Sequence, residues 1–432
     1  MNACIFDQKQ SREEKIRQYR DTLRHRPVTA DDLLIGSWVS FYSFRKDPFE
    51  YQTRQLADAG LNFNIFPGGF PGTDPATMPD WDTIEAEYAA DNMVYFMLGG
   101  LEEQEYRDGV RLAAGKAHCI GYHLVDEPGG SALPHVGDVV RRFREADGER
   151  YPFVNLLPSY AGEGWLGGTY REYVQRFVDA AGADNVGWLS HDFYVFLENA
   201  DSLGVFADME VIRSVAYANG KLKTHAFPQS TKWTGMRMPN ADEMRWNVYA
   251  CLAYGFKALS WFNVVCPGSR DDDGEGFSRS LIYRDGTIMD EQLWRDFTAL
   301  NWEVRGIGHA LSGLDTVHAW HTGGGLDGVE YLPADCFIRP EGDADLVVSL
   351  MEAKDGTQPY VMLFNKSHKA SVTHAFSLDP ACGVTAVEYL DPLTGEYVPA
   401  DISDGRFCVS FRPGEGKLFR LQGVTSAEIM RD

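Results

Sequence analysis

Cysteine, positive charge and long apolar runs are all scarce in this 432-residue chain, and each scarcity removes a class of protein. The seven cysteines (Cys4, Cys119, Cys251, Cys266, Cys336, Cys382, Cys408) form an odd set without a CxxC pair. That argues against both a disulfide framework and a zinc cluster, and the expectation is reduced thiols in a cytoplasmic protein. Lys and Arg number 40 against 63 Asp and Glu, so a formal charge of −23 repels nucleic acid and anionic membrane at long range. A neutral partner suits such a surface. The first thirty residues, with SREEKIRQYRDTLRHRP among them, lack the apolar core of a signal peptide, and no later run approaches a membrane span.

What is present is apolar volume and a rhythm. Hydrophobic residues make up 44% of a chain longer than one core normally serves, so a barrel plus an accessory domain is a natural expectation. Aromatics reach 13%, with 10 Trp and 20 Tyr, and such rings either fill cores or stack on sugar faces. From residue 33 to about 310, apolar β-like runs alternate with amphipathic stretches. The strand candidates are Leu33 to Phe41, Leu61 to Phe66, Met93 to Leu98, Cys119 to Val125, Pro152 to Leu157, Val186 to Phe193, Leu222 to Phe227 and Ala258 to Val265. Between them WDTIEAEYAADN, HVGDVVRRFREA and MRWNVYACLAYG repeat apolar residues at three- and four-residue spacing. Asn240 followed by Glu243 is a capping-box pattern, and Gly255 closes the same helix. Eight βα units in under 300 residues predict a (β/α)8 barrel. A further helix is expected over residues 7 to 24.

After residue 312 the rhythm changes to VEYL, LVVSLME, YVMLFNK, VTHAFSL, VTAVEYLDP, EYVPA, RFCVSF and GKLFRLQ, separated by turn signals. These predict a C-terminal antiparallel β-sandwich over 313–432, behind a helix-plus-barrel unit over 1–312. Its polar residues are expected to alternate as a solvent face.

Barrel chemistry is built where the strands end, so the strand list becomes a list of candidates. They are Trp38, Ser40 and Phe41 on strand one, Asn64 and Phe66 on strand two, and His123, Asp126 and Glu127 on strand four. Strand five offers Asn155, strand six His191, Asp192 and Tyr194, strand seven Gln229 and Trp233, and strand eight Trp261 and Asn263. The sharpest element is GYHLVDEPG. Two adjacent carboxylates at the mouth of an apolar strand are costly, and the same desolvation and repulsion raise a carboxyl pKa towards neutrality, as a general acid requires. Pro128 is expected to hold Glu127 extended. Trp38, Tyr194, Trp233 and Trp261 are candidate sugar platforms. His123, His191, Asn64, Asn155, Gln229 and Asn263 are candidate hydrogen-bond partners for hydroxyls.

A carboxylate-Glu-Pro ending strand four resembles the Asn-Glu-Pro of clan A glycoside hydrolases, (β/α)8 barrels in which that Glu is the acid/base. RSLIYRDGTIMDEQLWRDFTALNWEVRGIG resembles the segment that closes many of those barrels, and MPNADEMRWNVYACLAYGFKALSWF resembles the seventh helix and eighth strand of β-galactosidase-like members. The resemblance implies a glycosidase with Glu127 as acid/base, a carbohydrate substrate and no cofactor. It departs at strand seven, where HAFPQS sets Gln229 in the place of the nucleophilic Glu, and at Asp126, which replaces the usual Asn. Two alternatives fill the gap. Asp192 acts as nucleophile or base, or the Asp126-Glu127 pair works as in substrate-assisted β-N-acetylhexosaminidases, where the substrate's acetamido group attacks. A third possibility is a non-catalytic sugar-binding barrel.

Other patterns are weaker. Gly323, Gly325 and Gly328 have GxGxxG spacing but precede a strand, so a turn is expected there. RDDDGEG lacks the distal Glu of a calcium loop, and strand one has no His-x-His, so no metal is expected. A lyase would need a lysine or metal at a strand end, and Lys223 and Lys232 lack a convincing partner.

Overall fold

The computed structural model describes residues 10–38, 47–65, 80–266, 276–283 and 285–429. Ser40, Phe41, Phe66, Cys4 and residues 270–275 of the RDDDGEG loop lie outside the described residues.

Eight parallel strands close into a barrel in sequence order. They are β1 (Leu34–Trp38), β2 (Phe63–Ile65), β3 (Val94–Leu98), β4 (Cys119–Asp126), β5 (Tyr151–Leu156), β6 (Trp188–His191), β7 (Lys223–Ala226) and β8 (Ala258–Trp261). Helices α1 (Arg12–His25), α2 (Asp47–Asp58), α3 (Trp81–Asp91), α4 (Glu103–Ala113), α5 (Leu133–Ala146), α6 (Glu163–Leu166), α7 (Tyr170–Ala181), α8 (Val205–Ala218), α9 (Ala241–Ala253) and α10 (Glu291–Leu311) precede, connect and follow them. The predicted capping box is in place at α9. Asn240 accepts from the Asp242 and Glu243 amides, and Glu243 accepts from the Asn240 amide. Gly255 leaves the helix at φ 82°.

Alternation along the strands divides their side chains between the barrel interior and the helix layer. Phe63, Phe96, Phe153, Trp188 and Phe227 fill the interior. Rings this large need space opposite. Gly36 and Gly121 supply it, since a Cβ on Gly36 would stand 2.1 Å from the Phe63 carbonyl oxygen and one on Gly121 2.8 Å from the Phe96 ring.

The C-terminal region is two sheets. One runs β10-β9-β12-β13-β18-β15-β16 and the other β11-β14-β17. Their strands are β9 (Leu314–His321), β10 (Glu330–Tyr331), β11 (Ile338–Pro340), β12 (Leu346–Ala353), β13 (Pro359–Asn365), β14 (Val372–Leu378), β15 (Ala386–Leu390), β16 (Tyr397–Pro399), β17 (Arg406–Phe411) and β18 (Gly416–Gln422). Leu350, Leu363, Phe376, Phe407 and Phe419 form the core between them.

Two expectations about this region are corrected. β9 and β10 pair in parallel, so the large sheet is mixed. β12 and β13 are buried along almost their whole length instead of alternating with solvent. Val347, Met351, Met362, Phe364 and Leu418 join the core of the barrel's helix layer, so the large sheet lies between that layer and the small sheet. Trp246 of α9 donates from Nε1 to the Lys366 carbonyl at 2.7 Å, and Arg412 pairs with Glu303 of α10 at 2.8 Å. Gly323, Gly325 and Gly328 all have positive φ, as a turn requires.

Candidate active site

Three carboxyls meet where β4 and β6 end. Asp126 is the last residue of β4, and the Glu127 amide prolongs the pairing with β5 by donating to the Asn155 carbonyl at 2.9 Å. There the chain turns sharply. Glu127 has φ 49°, so its backbone is left-handed and the extended geometry expected before Pro128 is not what forms. A non-glycine residue in that region costs about 1–3 kcal/mol and persists only where neighbours impose it. The neighbours here are Tyr173, whose hydroxyl donates to the Pro128 carbonyl at 2.7 Å, and the Gly130 amide, bonded to the Trp165 carbonyl at 2.9 Å.

Asp126 and Glu127 are both exposed in the mouth, whereas Asp192 is only 6% exposed. Asp192 and Glu127 lie close enough for each to shift the ionisation of the other, so the two do not readily carry charge together. Burial, then the Glu127 and Asp126 charges, push the Asp192 carboxyl well above the usual range. Burial and the Asp126 charge raise Glu127, against the opposing effect of Asp192. The walls of the mouth strip enough solvent from Asp126 to raise its carboxyl as well, moderated by Asn155, whose Nδ2 donates to Asp126 Oδ1 at 2.9 Å. Burial thus disfavours charge most at Asp192, the less exposed of the pair.

Aromatic rings wall this group. Tyr194 lies edge-on to Trp233 at 4.9 Å and tilted against Phe262 at 5.0 Å, and both Trp233 and Phe262 approach Phe277 at 5.9 Å. Below, Trp38 meets His123 at 5.0 Å and Phe227 at 5.2 Å. Burial drives the His123 pKa down to about 3, so its ring is neutral. Asn263 is buried, and its Oδ1 has no hydrogen-bond partner among the described residues.

Four candidates point elsewhere. His191 alternates with the inward-facing Ser190, so its ring turns to the helix layer and packs on Phe256 at 5.7 Å. Trp261 likewise turns outward, giving its Nε1 hydrogen to Asn301 of α10 at 3.0 Å. Asn64 bonds to the Tyr88 hydroxyl of α3 at 2.7 Å and to the Ser37 amide at 3.1 Å. Gln229 braces loops, accepting from the Phe196 amide at 3.1 Å and donating to the Arg237 carbonyl at 2.8 Å. Asn64, Gln229 and Trp261 spend polar atoms on these partners, and the ring nitrogens of His191 are buried on the helix-layer side, away from the mouth. Lys223 belongs to the opposite end of β7, where its Nζ donates to the Ala30 carbonyl at 2.7 Å.

Two residues that the strand-end argument missed stand over the group. Tyr160 is 57% exposed and Trp165 73% exposed, both on the segment between β5 and α7. The Tyr160 hydroxyl lies within the field of Asp192 and Glu127, and Trp165 flanks Gly129. They sit beyond the strand itself, which is why a reading confined to strand ends passed over them.

Asp201, Glu243 and His368 bring ligand atoms within 4.8 Å of one another. Arg237 already donates to both carboxylates, so the cluster has its cation.

No protein-family profile and no curated protein sequence matches the chain. Solved structures do share its fold. A noncanonic maltogenic alpha-amylase from Thermotoga neapolitana aligns with a TM-score of 0.51 at 10% identity, over 91% of this chain and 99% of that one. An alpha-amylase from Geobacillus thermoleovorans, complexed with acarbose, aligns with a TM-score of 0.50 at 9% identity, over 92% and 99%. The chain has the fold of a (β/α)8 barrel followed by a β-sandwich.

Proposed function

We propose that this chain is a glycoside hydrolase, with Glu127 as general acid/base and Asp192 as the second catalytic group. The observation that carries the proposal is the convergence of Glu127 and the buried Asp192 at the ends of β4 and β6, where each disfavours ionisation of the other, so that one proton and one charge can be divided between them. An acid and a nucleophile or base together need the same inventory. The separation of the two carboxyls in the sugar-bound state would decide the outcome, roughly 5–5.5 Å for retention and roughly 6.5–9.5 Å for inversion. In the working state Glu127 carries the proton for delivery to the glycosidic oxygen, and Asp192 carries the charge that meets the anomeric carbon. Trp233 and Tyr194 offer the ring faces on which a pyranose stacks. The substrate is an oligosaccharide or glycoconjugate, met in the cytoplasm, and the chain divides functionally at 312/313 into catalytic barrel and supporting sandwich.

A second reading rests on a separate observation: Asp126 is exposed beside Glu127, and Asn155 pins it in place. In a substrate-assisted N-acetylhexosaminidase, Asp126 would orient the acetamido group while Glu127 acts as acid. Hydrolysis of a nitrophenyl glycoside panel, with the first-formed anomer followed by proton NMR, separates these readings. Turnover of 2-hydroxy glycosides abolished by Asp192→Asn supports the first. Activity confined to 2-acetamido glycosides and abolished by Asp126→Asn supports the second. Sugar binding with no turnover across the panel overturns both and leaves a non-catalytic sugar-binding barrel.

A further inference from the structure

Beneath the carboxyls a file of polar side chains crosses five adjacent strands. Asn155 Nδ2 lies 2.9 Å from Asp126 Oδ1, Ser190 Oγ 3.0 Å from Asn155 Oδ1, His225 Nδ1 2.9 Å from Ser190 Oγ, and Ser260 Oγ 2.8 Å from His225 Nε2. All of them except Asp126 are buried, and Ser190, His225 and Ser260 are wholly inaccessible. Polar groups sunk in an aromatic barrel are costly unless each is satisfied, so the arrangement calls for a reason beyond packing.

The direction of every bond follows from one charge. Asp126, as a carboxylate, only accepts, so Asn155 must present its amide nitrogen there and its oxygen to Ser190. The Ser190 hydroxyl spends its one proton on that oxygen. It can then only accept from His225, which must carry hydrogen on Nδ1. Nε2 is left as the acceptor of the Ser260 hydroxyl. His225 is thus the neutral Nδ1-H tautomer. Its surroundings agree: Phe153 and Phe227 meet the ring edge-on at 4.9 and 4.6 Å, and burial followed by the influence of His191 and His123 holds its pKa well below the ordinary value.

We propose that His225 is a positioning residue: acting through Ser190 and Asn155, it fixes the carboxamide that holds Asp126 as the ionised neighbour of Glu127. Loss of the Nδ1 donor frees Ser190 to turn its proton away and Asn155 to rotate. Asp126 then loses its donor and becomes harder to ionise, and a neutral Asp126 no longer raises Glu127. His225 itself touches no substrate. This inference rests on the reading of Glu127 as the acid, but its test does not need turnover.

The test is the titration of Asp126 in the full-length protein, followed by carboxyl carbon NMR in the wild type, His225→Leu, His225→Asn and Ser190→Ala. The asparagine places an amide N–H close to where Nδ1–H stood, so it is the conservative rescue. His225→Leu is expected to raise the Asp126 midpoint by about one pH unit, as the loss of a hydrogen bond to a charged form does. His225→Asn should return it towards the wild-type value. Ser190→Ala, a smaller change, should reproduce the leucine result and stands in for it if that variant does not fold. An Asp126 midpoint unchanged in the folded leucine or Ser190→Ala variant overturns the proposal, as does a shift that asparagine fails to reverse. Should the wild type hydrolyse no glycoside, the glycosidase reading falls while these midpoints still decide the role of His225. Where it does, the alkaline limb of kcat/KM should move down in pH in His225→Leu, with KM nearly constant.

Discussion

His191→Leu removes an imidazole whose two ring nitrogens are buried without a hydrogen-bond partner among the described residues. The ring is 1% exposed, and burial lowers its pKa from 6.5 to about 3. The sign follows directly. Below pH 6.5 the unfolded chain takes up a proton that the native protein refuses, so stability is lost as the pH falls from 6.5 towards 3. At pH 5 the gap is 1.5 pH units, or about 2 kcal/mol at 1.36 kcal/mol per unit. At pH 8 this contribution vanishes, and two opposing changes remain. Relief of the unsatisfied nitrogens is worth about 1–3 kcal/mol, and imperfect packing of leucine against Phe256 costs about as much. The variant should therefore match or modestly exceed the wild type at pH 8 and gain a further 2 kcal/mol or so at pH 5. Urea unfolding followed by tryptophan fluorescence at the two pH values measures this. A stability difference identical at both would mean that native His191 takes up the proton. A tenfold fall in kcat/KM would mean that it reaches substrate after all.

Other substitutions test separate parts of the account. Asp208 accepts from the Ser159 amide at 2.8 Å, and burial raises its carboxyl to about 6. Since the native state protonates first, its ionisation removes stability as the pH climbs from about 4 to 6; Asp208→Asn should match the wild type near pH 4 and exceed it by up to about 3 kcal/mol at pH 7, and a wild type that gains on the variant with rising pH would refute this. Trp261→Phe strands Asn301 Oδ1 and should cost about 1–3 kcal/mol in urea unfolding while leaving KM alone; a raised KM would return Trp261 to the sugar site. Trp165→Ala should raise KM for an oligosaccharide about tenfold, the equivalent of about 1.4 kcal/mol, with the thermal midpoint unmoved; an unchanged KM would exclude Trp165 from binding.

The barrel was legible in the sequence because each of its strands is an apolar run bounded by turn residues, and every one of the eight candidates overlaps an observed strand. The C-terminal strands were legible too, though not their environment. VVSLM and YVMLF are continuous apolar runs because one face meets the small sheet and the other the helix layer, and a run of that kind does not announce its second partner. The site was half legible. Strand ends do collect Asp126, Glu127, Asp192, Asn155 and Tyr194, but counting along a strand to its end ignores alternation. That is why His191 and Trp261, each one residue from an inward side chain, were misplaced. Alternation also held a signal left unread: Asn155, Ser190, His225 and Ser260 recur every 35 residues, the length of a βα unit here. Evenly spaced polar residues on inward positions mark a single rung of the barrel.

The central claim is that Glu127 delivers the proton to the leaving group, and Glu127→Gln tests it most directly. The amide keeps the shape and removes the proton. Paired kcat/KM measurements on a natural glycoside, whose leaving alkoxide is basic, and on a dinitrophenyl glycoside, whose phenolate departs unaided, separate proton delivery from every other role. The account predicts a loss of about 10²- to 10⁴-fold for the natural substrate and a far smaller one for the activated substrate. Turnover of the natural substrate within a few-fold of wild type, or equal losses on both substrates, would contradict it.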